Sequence, residues 1–109
     1  MNERTTPIVT LAFTDENGDP VAPMEAFYRI DDCQSGTEIT GDTEIVSPGV
    51  SEEIVLSQAE TAILDENHEY ETRRVTVWWS YGPLGDKHGN GQYFLRIKNL
   101  GGITAGSPP

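Results

Sequence analysis

Residues 70–81 read YETRRVTVWWSY, and in them Val75, Val77 and Trp79 alternate with Arg74, Thr76 and Trp78. Period-two alternation puts one set on each face of a β-strand, and no helix can satisfy it. The same period recurs upstream. Val9, Leu11 and Phe13 share a face in residues 7–14. In residues 24–31, Met24, Ala26, Tyr28 and Ile30 alternate with Glu25, Phe27, Arg29 and Asp31. Ile54 and Leu56 fall together in residues 52–57, and shorter strand candidates lie near 37–40 and 43–47. Turn-forming residues separate them: DENGDP at 15–20, Ser35-Gly36 and Pro48-Gly49. Residues 58–68 are ambiguous. Ser57 and Glu60 have the spacing of a capping box, but Thr61–Leu64 would also suit a short strand. Residues 92–100, QYFLRIKNL, make the last strand, reached from residues 70–81 across the Gly-rich segment 82–91.

Short strands with turns between them and no crossover helices predict an all-β fold. The expectation is one antiparallel sandwich of about seven strands, immunoglobulin-like or fibronectin-like; a small open barrel is the alternative. The sandwich spans residues 7–100, with an N-terminal arm at 1–6 and a C-terminal tail at 101–109 that is too rich in Gly and Pro to pack.

Composition narrows the function classes. The 109 residues suffice for one domain, and 18 acidic against 7 basic residues give a formal charge of -11. Phosphate contacts need basic density, so no nucleic-acid partner is expected. No apolar run approaches the roughly 20 residues of a membrane span, and no membrane partner is expected. MNERTTP lacks a hydrophobic signal segment, and Cys33 has no partner for an internal disulfide; both suit synthesis in a cytoplasm.

Candidate chemistry is sparse. Asp15, Asn17 and Asp19 offer alternating oxygens, but Gly18 sits one residue inside the EF-hand spacing and Ala26 stands where that loop needs Glu. A turn is the better reading. Asp31 and Asp32 are adjacent, so on a strand they point to opposite faces, and a solvated strand end is expected. Cys33 has no nearby His, which favours a small buried or half-buried residue over a nucleophile. His68, near Glu66, and His88, near Asp86, have no ligand spacing and read as exposed loop residues. The segment 82–91 lacks a GK[ST] ending and reads as a hairpin loop. No catalytic residue, metal or cofactor is expected.

The last hairpin carries one further signal. Pairing Val75 with Ile97, Val77 with Leu95 and Trp79 with Tyr93 buries an apolar row. The other face then pairs Trp78 with Phe94, Thr76 with Arg96 and Arg74 with Lys98. A face meant for water seldom carries Trp and Phe. Either residues 58–68 or the tail fold over it, or it docks a partner through Trp78, Phe94, Arg74, Arg96 and Lys98. A carbohydrate-binding module using Trp78, Trp79 and Tyr81 as a stacking platform is the rival reading.

DENGDPV at 15–21 resembles the first-strand turn of bacterial and phage immunoglobulin-like domains. ETRRVTVWWSYG, with GQYFLRIKNL after it, resembles the closing hairpin of small virion proteins of tailed bacteriophages. The resemblance runs over most of residues 7–100. It implies a non-enzymatic head, neck or tail component, located in the virion, whose partners are other virion proteins and copies of itself.

Overall fold

The computed structural model describes residues 1–101. The chain is all-β among these residues, with six strands: β1 (Ile8–Ala12), β2 (Glu25–Asp32), β3 (Glu38–Glu44), β4 (Ser51–Val55), β5 (Tyr70–Tyr81) and β6 (Lys87–Lys98). They form two antiparallel sheets, β1-β4 and β3-β2-β5-β6, which make a β-sandwich. The two candidates near 37–40 and 43–47 are one irregular strand, β3, whose pairing with β2 shifts register on either side of Ile30.

Alternation dictates the core. Val9, Leu11 and Phe13 of the small sheet and its extension pack on Val75, Val77, Trp79 and Tyr81 of β5 and on Ala26 and Ile30 of β2. Phe13 meets the Trp79 ring edge-on at 5.3 Å. The turn at 15–20 forms as the composition dictates. Asp15 Oδ1 accepts from the amides of Asn17 at 2.9 Å and Asp19 at 3.0 Å, while Gly18 takes a φ of 82°. Glu16 ties this turn to the large sheet, accepting from the Tyr81 hydroxyl at 2.8 Å and Lys87 Nζ at 3.2 Å. Its own amide first, then Tyr81 and Lys87, hold its carboxyl down to about 2.

The β5–β6 pairing corrects the expected register. Val75 lies opposite Tyr93, not Ile97, and Trp78 lies opposite Asn90, not Phe94. The slip is four residues, an even number, so each side chain keeps its expected face. The hairpin loop is correspondingly short: residues 87–91, read as loop, belong to β6. Glycine makes this possible. A Cβ on Gly89 would lie 2.5 Å from the Trp79 ring, so the indole occupies the space a side chain would need.

Residues 58–62 turn without forming a helix or a strand. The capping box does form: the Ser57 amide donates to Glu60 Oε1 at 2.7 Å and the Glu60 amide to Ser57 Oγ at 3.2 Å. Residues 1–6, expected as an arm, run beside the outer edge of β6. Lys98 N donates to the Met1 carbonyl at 2.8 Å, and Glu3 N donates to the Lys98 carbonyl at 2.9 Å. Of the expected tail, residues 102–109 lie outside the described residues.

A second correction concerns the end of β2. Asp31 and Asp32, expected to be solvated, are 3% and 1% exposed. Asp32 points inward to Arg73, which is itself fully buried. The guanidinium also reaches Glu71 Oε1 at 3.0 Å, the Glu60 carbonyl at 3.1 Å and the Ala62 carbonyl. Cys33, expected to be at least half-buried, is exposed.

Candidate functional site

The outer face of the large sheet is set by register. On β5 it carries Tyr70, Thr72, Arg74, Thr76, Trp78 and Ser80. On β2, Asp31, Arg29, Phe27 and Glu25 lie opposite Arg74, Thr76, Trp78 and Ser80. On β6, His88, Asn90, Gln92, Phe94, Arg96 and Lys98 share this face, and all are exposed.

Two aromatic features stand on it. Trp78 stacks on Phe27 with centroids 6.0 Å apart and planes 17° from parallel. Phe94 stands alone, 61% exposed and opposite Arg74. Trp78 and Phe94 therefore share the face but are not the cross-strand pair expected. Phe27 is the aromatic that sequence reasoning missed. Its signal was legible, since it alternates with Ala26 and Tyr28 on the otherwise polar face of β2. Beside the stack lies a hollow of about 200 Å³ lined by Glu25, Phe27, Trp78, Trp79, Ser80, Gly85 and His88.

The charges on this face divide into two groups. Arg29 forks onto Asp31, with Nε at 3.1 Å from Oδ2 and Nη2 at 2.9 Å from Oδ1. Arg74 Nη2 approaches the same carboxylate at 3.6 Å. The Arg29 hydrogen bonds outweigh burial and, with Arg74, keep the Asp31 carboxyl below the usual carboxylate range. Arg74 is thus partly neutralised, although its Nε is buried without an acceptor among the described residues. Arg96 and Lys98 have no acidic partner among the described residues. Arg96 lies over the Tyr70 ring, 3.8 Å from its centroid. Four of the seven basic residues, Arg29, Arg74, Arg96 and Lys98, collect on this single face.

Residues 58–68, one of the two segments that could have covered this face, lie elsewhere. Their carbonyls at Glu60 and Ala62 receive Arg73, which points to the core side. Across the outer face Arg29 Nη1 also approaches Asp42 Oδ1 of β3 at 3.8 Å, and among the described residues no loop or terminal segment bonds across this face.

The other candidates are dispersed. Trp79 and Tyr81 are each 6% exposed on the core side, so the three-ring stacking platform with Trp78 does not exist. His88 is exposed on β6 rather than in a loop, whereas His68 is half-buried, its Nδ1 2.9 Å from Glu71 Oε2. Among the described residues no group of three or more His, Cys, Asp or Glu is placed to hold a metal ion. No family model matches the chain, and neither a curated protein nor a solved structure matches it.

Proposed function

We propose that this chain is a non-enzymatic structural component of a tailed-phage virion, an immunoglobulin-like sandwich that docks on a protein lattice. The docking surface is the outer face of the β2-β5-β6 sheet. The observation that carries the reading is that face itself. It presents the Phe27–Trp78 stack, the exposed Phe94, and two unneutralised cations, Arg96 and Lys98, on a chain of formal charge -11. Aromatic rings beside arginine are the composition of surfaces where binding energy concentrates. The surrounding negative charge favours a partner whose matching patch is acidic at Arg96 and Lys98 and apolar at Phe94. The likeness of residues 15–21 and of the closing hairpin to small virion proteins supports the setting. The test is the copy number of the chain in purified particles, measured by quantitative mass spectrometry. Many copies per particle are expected; absence from washed particles contradicts the reading.

A further inference from the structure

The two edges of the large sheet are built differently. β3 is irregular and carries Glu38, Asp42 and Glu44, the features that keep an edge strand from pairing with another chain. β6 is twelve residues long with an unbroken register to β5, and residues 88–95, HGNGQYFL, contain no Asp, Glu, Lys or Arg. In a chain with 23% charged residues, that stretch lacks the usual protection.

The N-terminal segment shows which backbone groups face outward. Lys98 N and O both bond to residues 1–3, and Arg96 O accepts from Met1 N at 3.1 Å. Backbone groups alternate along a strand, so Phe94, Gln92, Asn90 and His88 present their N–H and C=O to the same side. None of these has a partner there among the described residues. Residues 1–3 thus cover the edge beside 96–98 and leave 88–94 open.

We infer that this open edge pairs with the same edge of a second copy, antiparallel, about a two-fold axis at Gly91. One register uses every open group: His88 opposite Phe94 of the second copy, and Asn90 opposite Gln92 of the second copy. Each such pair exchanges both its N–H···O bonds. Displacing the copies one way would set His88 against Arg96, whose carbonyl Met1 already occupies. Displacing them the other way would leave Phe94 opposite Asp86, which lies outside the strand. The side chains agree with the central register. On the outer face a ring meets a ring and an amide meets an amide. On the core face Gly91 meets Gly91, and Gly89 meets Tyr93. Past the end of the pairing, Asp86 of the second copy comes level with Arg96, so opposite charges meet. The occupant is a second copy because the edge is self-complementary, as an isologous contact requires. The outer face stays open in the dimer, so this inference goes beyond the docking reading.

Light scattering on the purified full chain should give twice the 12.0 kDa chain mass. Asn90→Lys with Gln92→Lys sets lysines against lysines across the axis and should give a folded monomer with unchanged β circular dichroism. Cys33→Ser with Gly91→Cys removes the exposed native thiol and sets two thiols at the closest Cα spacing of the ladder. It should oxidise to a covalent dimer. Trp78→Ala should remain dimeric even where it no longer enters particles, which separates failure of this inference from failure of the docking reading. A wild type that is monomeric at every concentration overturns the inference. So does a dimer that survives the paired lysines, or a dimer in which Gly91→Cys does not cross-link.

Discussion

Arg73 Nη1 lies 2.6 Å from Asp32 Oδ1, and both side chains are buried, 0% and 1% exposed. The two residues sit opposite each other on β5 and β2, on the core side of the sheet. Their pairing explains how the core holds one carboxylate at the end of β2, while the adjacent Asp31 lies on the outer face against Arg29 and Arg74. Asp32 is also held by the Ser35 amide at 2.9 Å and hydroxyl at 2.7 Å, so little of its hydrogen-bonding capacity is left unmet. Removing one partner strands the other charge. Arg73→Met should lower unfolding free energy by about 3–5 kcal/mol, read from urea denaturation. A loss under about 1 kcal/mol would mean that water or a rearranged loop satisfies Asp32.

His68 and Glu71 couple this cluster to pH. The Glu71 hydrogen bond raises the His68 pKa above its ordinary value, with Asp65 adding to it against the opposing effect of burial. Its contribution to stability is complete below about pH 6.5 and is lost as pH rises through the raised value. Glu71 has the opposite sign. Burial would raise its carboxyl, but the amides of Leu64 and Asp65, then His68 and Arg73, outweigh burial and depress it. Its contribution is present above about pH 4.3 and is lost as pH falls through the depressed value. The melting temperature should therefore decline on both sides of a weakly acidic maximum. His68→Gln should flatten the decline on the alkaline side and leave an acid decline from the remaining carboxylates. An identical alkaline decline in the variant would show that His68 is not its source.

Gly89 and Gly91 distinguish the observed hairpin from the one with a long loop. Gly89→Ala drives a methyl group into the Trp79 ring and should destabilise by about 1–3 kcal/mol. Gly91→Ala meets only Val77 Cγ1 at 3.8 Å and should be tolerated. Thermal melts of the two variants make the comparison. Equal tolerance would return residue 89 to a loop.

The faces of the strands were legible and their register was not. Alternation alone separates Val75, Val77 and Trp79 from Arg74, Thr76 and Trp78, and an even slip preserves that separation. What the pattern could not carry is that HGNG continues the strand. Its glycines suggest a turn unless the Trp79 ring that fills the side-chain space of Gly89 is known to lie beside it. The burial of Asp31 and Asp32 was hidden for a similar reason. Arg73, which satisfies Asp32 from β5, is some forty positions away in sequence. Asp31 is held by Arg29 two residues before it, with Arg74 of β5 closing over the same carboxylate only once β2 lies beside β5. Of the candidate site, Trp78, Phe94, Arg74, Arg96 and Lys98 do share one face. Phe27 joins them only when β2 is placed beside β5.

The most direct test of the docking face compares variants on the two sides of the same hairpin. Val77→Ala and Leu95→Ala remove apolar groups from the core side and should lower stability by about 1–5 kcal/mol. Phe94→Ala and Trp78→Ala act on the outer face and should leave a folded domain that attaches more weakly, by about 2 kcal/mol or more for an anchor residue. Charge reversal at Arg96 should also weaken attachment, most at low salt, where exposed charges are least screened. Each purified variant is melted and its incorporation into particles is then measured. Phe94→Ala and Trp78→Ala are expected to melt near the wild type and fail to incorporate. Incorporation at the wild-type level, or a Trp78→Ala variant that unfolds as readily as Leu95→Ala, contradicts docking through this face.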